Sequence, residues 1–183
     1  MGDADHQRPS SPGIVFVTDP IETARLAAEK ADENARFGGY LKHGLRWSDQ
    51  RLDRAIHEAA AVVEQGVDCT TCGRCCREMS PSLSPAEIAI LAGHLGLQQE
   101  QFLARYTVPG GGVDAGEVLL KSPCTFLAGS LCSVYADRPA CCREFPHLHK
   151  PLMRSRLLQV VNNADCPLVY NTLELLKARL RRR

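Results

Sequence analysis

The chain has 183 residues, 44% of them hydrophobic and 23% charged, which is the size and balance of one globular domain with a buried core. Lys and Arg total 22 against 21 Asp and Glu, so no global field draws the chain to nucleic acid or to an anionic membrane. Aromatics, at 5%, are too sparse for a platform on which bases would stack.

The first residues are polar and lack the basic region and apolar run of a secretory signal. His6 stands where a myristoylation motif needs Ser or Thr, and no apolar stretch reaches bilayer-spanning length. The expectation is a cytoplasmic protein with neither a nucleic-acid nor a membrane partner, a protein partner being open. In a reducing compartment nine cysteines, an odd number, do not read as a disulfide framework, and crowded thiols point to a metal.

In chain order, residues 1–17 read as a flexible leader whose residues 9–13 are a row of Pro, Ser and Gly breakers. The remainder, 18–183, reads as a single domain: a helical lead-in over 18–66, a metal-binding core over 67–167 and a C-terminal helix over 168–183. A first helix starts from a Thr18 or Asp19 cap with Pro20 in its first turn, aligns Ala24, Ala28, Ala31 and Ala35 on one face, and stops at Gly38 and Gly39. A second is capped by Ser48 or Asp49, carries a Leu52, Ile56, Ala59, Val63 stripe and ends at Gly66. It runs into Cys69, so a rigid element delivers the first cysteine.

A third helix has Ser84 as cap, Pro85 in the first turn, Glu87 completing a capping box, Ile88, Leu91 and Leu95 facing inward, and Gly96 closing it. A shorter helical turn carries Phe102, Leu103 and Tyr106. "VPGGGVDAG" reads as a loop without the glycine spacing of a nucleotide site. "EVLLKS" and "LCSVY" read as short strands, while "RSRLLQVVNN" fits strand or helix equally. From Pro167, the residues Val169, Leu173, Leu176 and Leu180 mark a last helix, with Lys177, Arg179 and the terminal arginines suiting the negative end of its dipole.

The chemistry is concentrated in "CTTCGRCC", where Cys69, Cys72, Cys75 and Cys76 fall within eight positions, and in the scattered Cys124, Cys132, Cys141, Cys142 and Cys166. Separate segments of this kind meet when a metal ties them together. For zinc, Cys69 and Cys72 form the usual knuckle, but no second, independent C-x2-C follows. For iron–sulfur, C-x2-C-x2-C with a remote fourth cysteine is the bacterial-type spacing, and Cys166 is followed by Pro167. Thiolates without a clear carboxylate or histidine partner suit either of these over harder metals. Cys75 and Cys76 are adjacent and their side chains diverge, so they are not expected to bind one mononuclear ion together; either one of them is a thiol beside the site without binding the metal, or the two serve different centres. Eight or nine cysteines are enough for two four-ligand centres, a number the sequence leaves open.

Arg74, Arg77, Lys121, Arg138 and Arg143 interleave with the thiols and would offset the negative charge of a thiolate site. A thioredoxin-like dithiol motif follows a strand, whereas a helix precedes Cys69. His147 and His149 read as solvated, His57 and His94 as surface residues, Glu144 as the ion-pair partner of Arg143, and Trp47 as packing at a helix start.

"SPCTFLAGSLCSVYADRPACCREFPHL", taken with "CTTCGRCC", resembles the YkgJ-like cysteine-cluster family, described as a zinc- or iron-chelating domain. The matching residues are Cys69, Cys72, Cys75 and Cys76; Cys124 with Phe126 and Leu127; Cys132 with Tyr135; Arg138, Pro139, Cys142, Arg143, Phe145 and Pro146; and Cys166 with Pro167. The resemblance spans roughly 66–170 and implies that Cys69, Cys72, Cys75, Cys76, Cys124, Cys132, Cys142 and Cys166 are metal ligands, with Cys141 on a variable position. Its relatives include flagellin lysine N-methylases, which implies a methyl-transfer alternative to be judged by cofactor binding. The expected fold is an α-rich irregular single domain, four or five helices around a cysteine-ligated metal centre, with a small β-hairpin near Cys132. The expected function is thiolate metal binding, an iron–sulfur cluster with a redox role being favoured over a structural zinc module.

Overall fold

The computed structural model describes residues 15–111 and 116–181. Most of the expected leader, the middle of the glycine loop at 112–115 and the last two arginines lie outside the described residues.

Helix α1, Pro20–Glu29, starts where the Asp19 side chain accepts the Glu22 N–H at 2.7 Å. Lys30 leaves helical geometry, and α2, Ala31–Gly39, follows in a new direction, so the single helix expected here is two. Their buried face is Thr23, Ala27, Asn34 and Gly38, not the alanine stripe, of which Ala28, Ala31 and Ala35 are exposed. Gly38 does not end the helix. A Cβ there would lie 2.8 Å from Val161 Cγ2, so the glycine serves close packing, and the chain continues into a π-helical turn at Tyr40–Gly44.

Helix α3, Asp49–Glu64, is capped by Ser48 and buries Leu52, Ile56, Ala59, Ala60 and Val63, the expected stripe with one addition. A 3₁₀ turn at Cys69–Thr71 leads to the short α4, Arg74–Glu78. Strand β1 (Ser82–Leu83) precedes α5, Pro85–His94, where both halves of the Ser84–Glu87 capping box form. Leu95 lies at the surface and Ala92 takes the inward place expected of it. Then come α6 (Gln99–Tyr106), β2 (Thr107–Pro109), β3 (Val118–Leu120), β4 (Leu127–Ala128) and β5 (Leu131–Cys132). The sequence places Val108 and Pro109 in a loop, yet they pair with β3 in an antiparallel sheet of order β1-β3-β2. The expected hairpin is β4–β5, with Leu127 opposite Cys132.

Helices α7 (Ala140–Glu144), α8 (Met153–Asn162) and α9 (Pro167–Arg181) complete the chain. The ambiguous "RSRLLQVVNN" is therefore helical, because Met153, Leu157 and Val160 recur at helical spacing and are buried. The described residues hold nine α-helices, more than the four or five expected, the excess coming from the α1–α2 break, the short α4 and α7, and α8, which the sequence left undecided.

Helix α9 packs along α3, and α8 packs on both α2 and α3. A large apolar cluster fills the space between them, and a smaller one lies beneath α5, α6 and β3. Lys177 is not a solvated C-terminal cation. It is 5% exposed, and its Nζ donates to Asn34 Oδ1 at 2.6 Å and to Glu174 at 2.8 Å, with Glu33 at 3.0 Å. This polar knot ties α9 to α2 inside the apolar half.

Candidate metal centre

The cysteine knuckle is built from backbone geometry. Asp68 Oδ1 accepts both the N–H and the hydroxyl of Thr70, at 2.8 and 2.7 Å, which fixes the turn carrying Cys69 and holds the Asp68 carboxyl below its usual range. Gly73 sits at φ +63°, and a Cβ there would come within 3.2 Å of Ser130 Cα, so only glycine fits both the backbone and the space. It reverses the chain into α4, which presents Cys75 and Cys76.

With five residues, α4 is too short to hold itself. Two arginines anchor it. Arg74 reaches Glu78 and Asp165, each at 3.0 Å, tying the helix to the segment before Cys166. Arg77 donates to the carbonyls of Cys72 and Gly129, each at 2.8 Å, tying it to the β4–β5 turn. The Cys124 N–H donates to the Cys76 carbonyl at 2.8 Å, so the third cysteine segment is bonded to α4 directly.

Two adjoining hollows result. The larger, about 680 Å³, is lined by Cys69, Cys75, Cys76, Cys124, Cys132, Cys141 and Cys142. The smaller, about 80 Å³, is lined by Cys69, Cys72, Cys75 and Cys166. Each of the eight cysteines singled out in the sequence therefore borders one hollow or both, and Cys141, left out there, borders the larger. Among the described residues no three His, Cys, Asp or Glu side chains form a cage that could hold an ion as they stand. The sulfurs line walls instead of meeting at one point.

Cys166 opens α9: its carbonyl accepts the Tyr170 N–H at 2.8 Å, and its sulfur faces the N–H groups of Leu168 and Val169. Burial nonetheless pushes its thiol up to about 11. Burial likewise raises Cys69 and Cys124. Within each adjacent pair the two thiols influence each other oppositely: the neighbouring Cys75 thiol, with the Arg138 and Arg77 cations, holds Cys76 down, while the Cys76 thiol and burial push Cys75 up. Cys141 is likewise held down and Cys142 pushed up, each chiefly by the other, and the Cys141 thiol donates to the Ser82 carbonyl at 3.3 Å. A divalent metal or a cluster would displace these protons and keep the sulfurs as thiolates. Thiols predominate among the donors, with no histidine among the described residues lining either hollow, and the bordering carboxylates Glu64, Asp68, Glu78 and Asp165 are engaged by His149, Thr70 and Arg74, a set that fits soft-metal centres.

The other interleaved cations also brace backbone. Arg138 and Arg143 line the larger hollow; Arg138 donates to the Tyr135 carbonyl at 3.0 Å and stacks on that ring at 3.6 Å, and Arg143 donates to the Arg138 carbonyl. Lys121 donates to the Arg105 carbonyl. Glu144 pairs with Lys150 at 2.5 Å in place of Arg143. His149 pairs with Glu64, His94 with Asp137, and His57 with the Lys150 carbonyl. A signal in the sequence went unused: "CCRE" occurs at 75–78 and again at 141–144, and both copies form five-residue helices against the larger hollow.

A family model, CxxCxxCC, described as "Putative zinc- or iron-chelating domain", matches residues 68–167, from the Asp68 cap of the knuckle to the proline after Cys166. No curated protein and no solved structure matches the chain.

Proposed function

The chain belongs to the CxxCxxCC family of zinc- or iron-chelating domains, and we propose that it holds an iron–sulfur cluster on Cys69, Cys72, Cys75 and Cys166. The observation that carries this reading is the lining of the smaller hollow. The three cysteines of the C-x2-C-x2-C run and the distant, proline-followed Cys166 border one space, and that combination of a local run with one remote cysteine is how bacterial-type clusters are held. Such a cluster supplies one-electron chemistry. The residues around it contribute orientation and charge: Arg74 fixes the knuckle against Asp165, and the Leu168 and Val169 N–H groups face the Cys166 sulfur, where they would stabilise negative charge. Cys69 is exposed, so the site is reachable by an electron-transfer partner.

The test is analysis of protein purified without oxygen. The expected material is brown, contains iron and acid-labile sulfide in equal amounts, and bleaches on reduction with dithionite. Colourless protein with stoichiometric zinc and no sulfide would replace the cluster with a structural zinc site. Folded protein free of both metals would remove the metal reading altogether.

A further inference from the structure

One cluster takes four thiolates, and the five cysteines it leaves over are not scattered. Cys72 and Cys166 border only the smaller hollow, whereas Cys76, Cys124, Cys132, Cys141 and Cys142 border only the larger. Of these five, Cys141 has its thiol engaged with the Ser82 carbonyl at 3.3 Å, which leaves four for a second site. Cys75 borders both hollows, from the helix that separates them. Consecutive residues on a helix are turned by about 100°, so the adjacent Cys75 and Cys76 face different sides of α4. The backbone holds the second set in place independently of α9. The Cys124 N–H is bonded to the Cys76 carbonyl at 2.8 Å, the Phe126 carbonyl accepts the Ser133 N–H at 2.8 Å, and β4 pairs with β5 at Cys132. Helix α7, with Cys142, is fixed by the Ala140 N–H donating to Glu87 at 2.7 Å, from the capping box of α5.

Resting on the cluster reading above, we propose that the chain holds two separate four-thiolate centres, one on Cys69, Cys72, Cys75 and Cys166 and a second on Cys76, Cys124, Cys132 and Cys142, with α4 as the wall between them. Cys69 borders both hollows but belongs to the first set by its place in the C-x2-C-x2-C run. Arg77 and Arg138, which both act on Cys76, supply positive charge at the second centre.

The test reconstitutes the full chain anaerobically with ferrous iron and sulfide, in three forms: wild type, Cys72→Ser with Cys166→Ser, and Cys132→Ser with Cys142→Ser. Each double variant is expected to keep about half of the iron, sulfide and visible absorbance per chain. Reduced wild type is expected to show a spin-coupled paramagnetic spectrum that both variants lose. Native mass spectrometry of loaded wild type reads two clusters or one directly, so the result does not depend on either variant folding. If wild type carries one cluster, unaffected by Cys132→Ser with Cys142→Ser, the second centre is overturned and the cluster reading stands. If either double variant, still folded, loses all metal, the partition is overturned. If wild type binds neither iron nor sulfide but takes up two zinc ions, halved by each variant, the partition stands and the cluster reading falls. Wild type that takes up no metal overturns both.

Discussion

Among the described residues, eighteen apolar side chains are buried in the cluster around α3, α8 and α9, against eight in the cluster beneath α5, α6 and β3. The first region is built from helices of 16, 10 and 15 residues. The second sets helices of 10 and 8 residues on strands of two or three, and the wall of its hollow rests on helices of five. Long amphipathic helices stabilise one another by covering apolar stripes. Five-residue helices cannot repay their own nucleation, and the space that a core would fill is here a hollow of about 680 Å³ walled with thiols. The lesson is one of division: the helical half brings its own stability, and the cysteine half is held by side-chain-to-backbone ties awaiting an inorganic cross-link.

The largest expected effect comes from stripping metal from loaded protein with a chelator. Amide exchange should quicken by ~100-fold or more, equivalent to ~2.7 kcal/mol, in residues 69–78 and 118–145, while α3 and α9 keep their protection. Equal loss in both regions would break the division. Next come two core truncations, each expected to cost ~2–5 kcal/mol in chemical denaturation. Phe102→Ala should loosen the cysteine half and leave α3 and α9 protected. Leu173→Ala should loosen both, because α9 carries Cys166 and packs on the helix that delivers Cys69.

Lys177→Met strands the polar groups that Lys177 joins and is expected to cost ~1–3 kcal/mol, confined to the helical half. It also carries a pH signature. Hydrogen bonding to Lys177 holds the Glu33 carboxyl below its ordinary 4.5. Burial opposes the same shift at Glu174, but Lys177 and Lys30 still hold that carboxyl below 4.5. A folded value below the unfolded one gives stability that is present above 4.5 and is lost as pH falls through the lower folded values. Wild type should therefore weaken on acidification more steeply than Lys177→Met, as urea titrations across that range would show. The smallest effect is Ser84→Ala, which removes half of a capping box at ~1 kcal/mol. It should speed exchange in α5, and through Glu87 in the first turn of α7, without touching α9.

What the sequence made legible was local. Ser48, and Ser84 with Glu87, cap the helices they announce because capping needs only three neighbouring residues. The stripe of Leu52, Ile56, Ala59 and Val63 is buried because its period leaves one face for the core. The alanine stripe misled because small side chains tolerate either face, and the burial of Thr23, Asn34 and Lys177 is set by partners far along the chain. Strands as short as Ser82–Leu83 carry no period to read. Spacing and family resemblance single out eight cysteines, and all eight, with Cys141 beside them, border the two hollows. How they divide between two spaces was not legible, because it depends on which side of α4 each distant loop arrives.

Cys166 is a ligand in the proposed cluster and, in the fold, the residue that opens a helix, so replacing it disturbs two things. Alanine there leaves the first-turn amides of Leu168 and Val169 without an acceptor as well as removing a sulfur. Serine returns an oxygen those amides can use while remaining a poor soft-metal ligand. Comparing the two replacements at this one position therefore separates the cost of a frayed helix start from the cost of an empty coordination place.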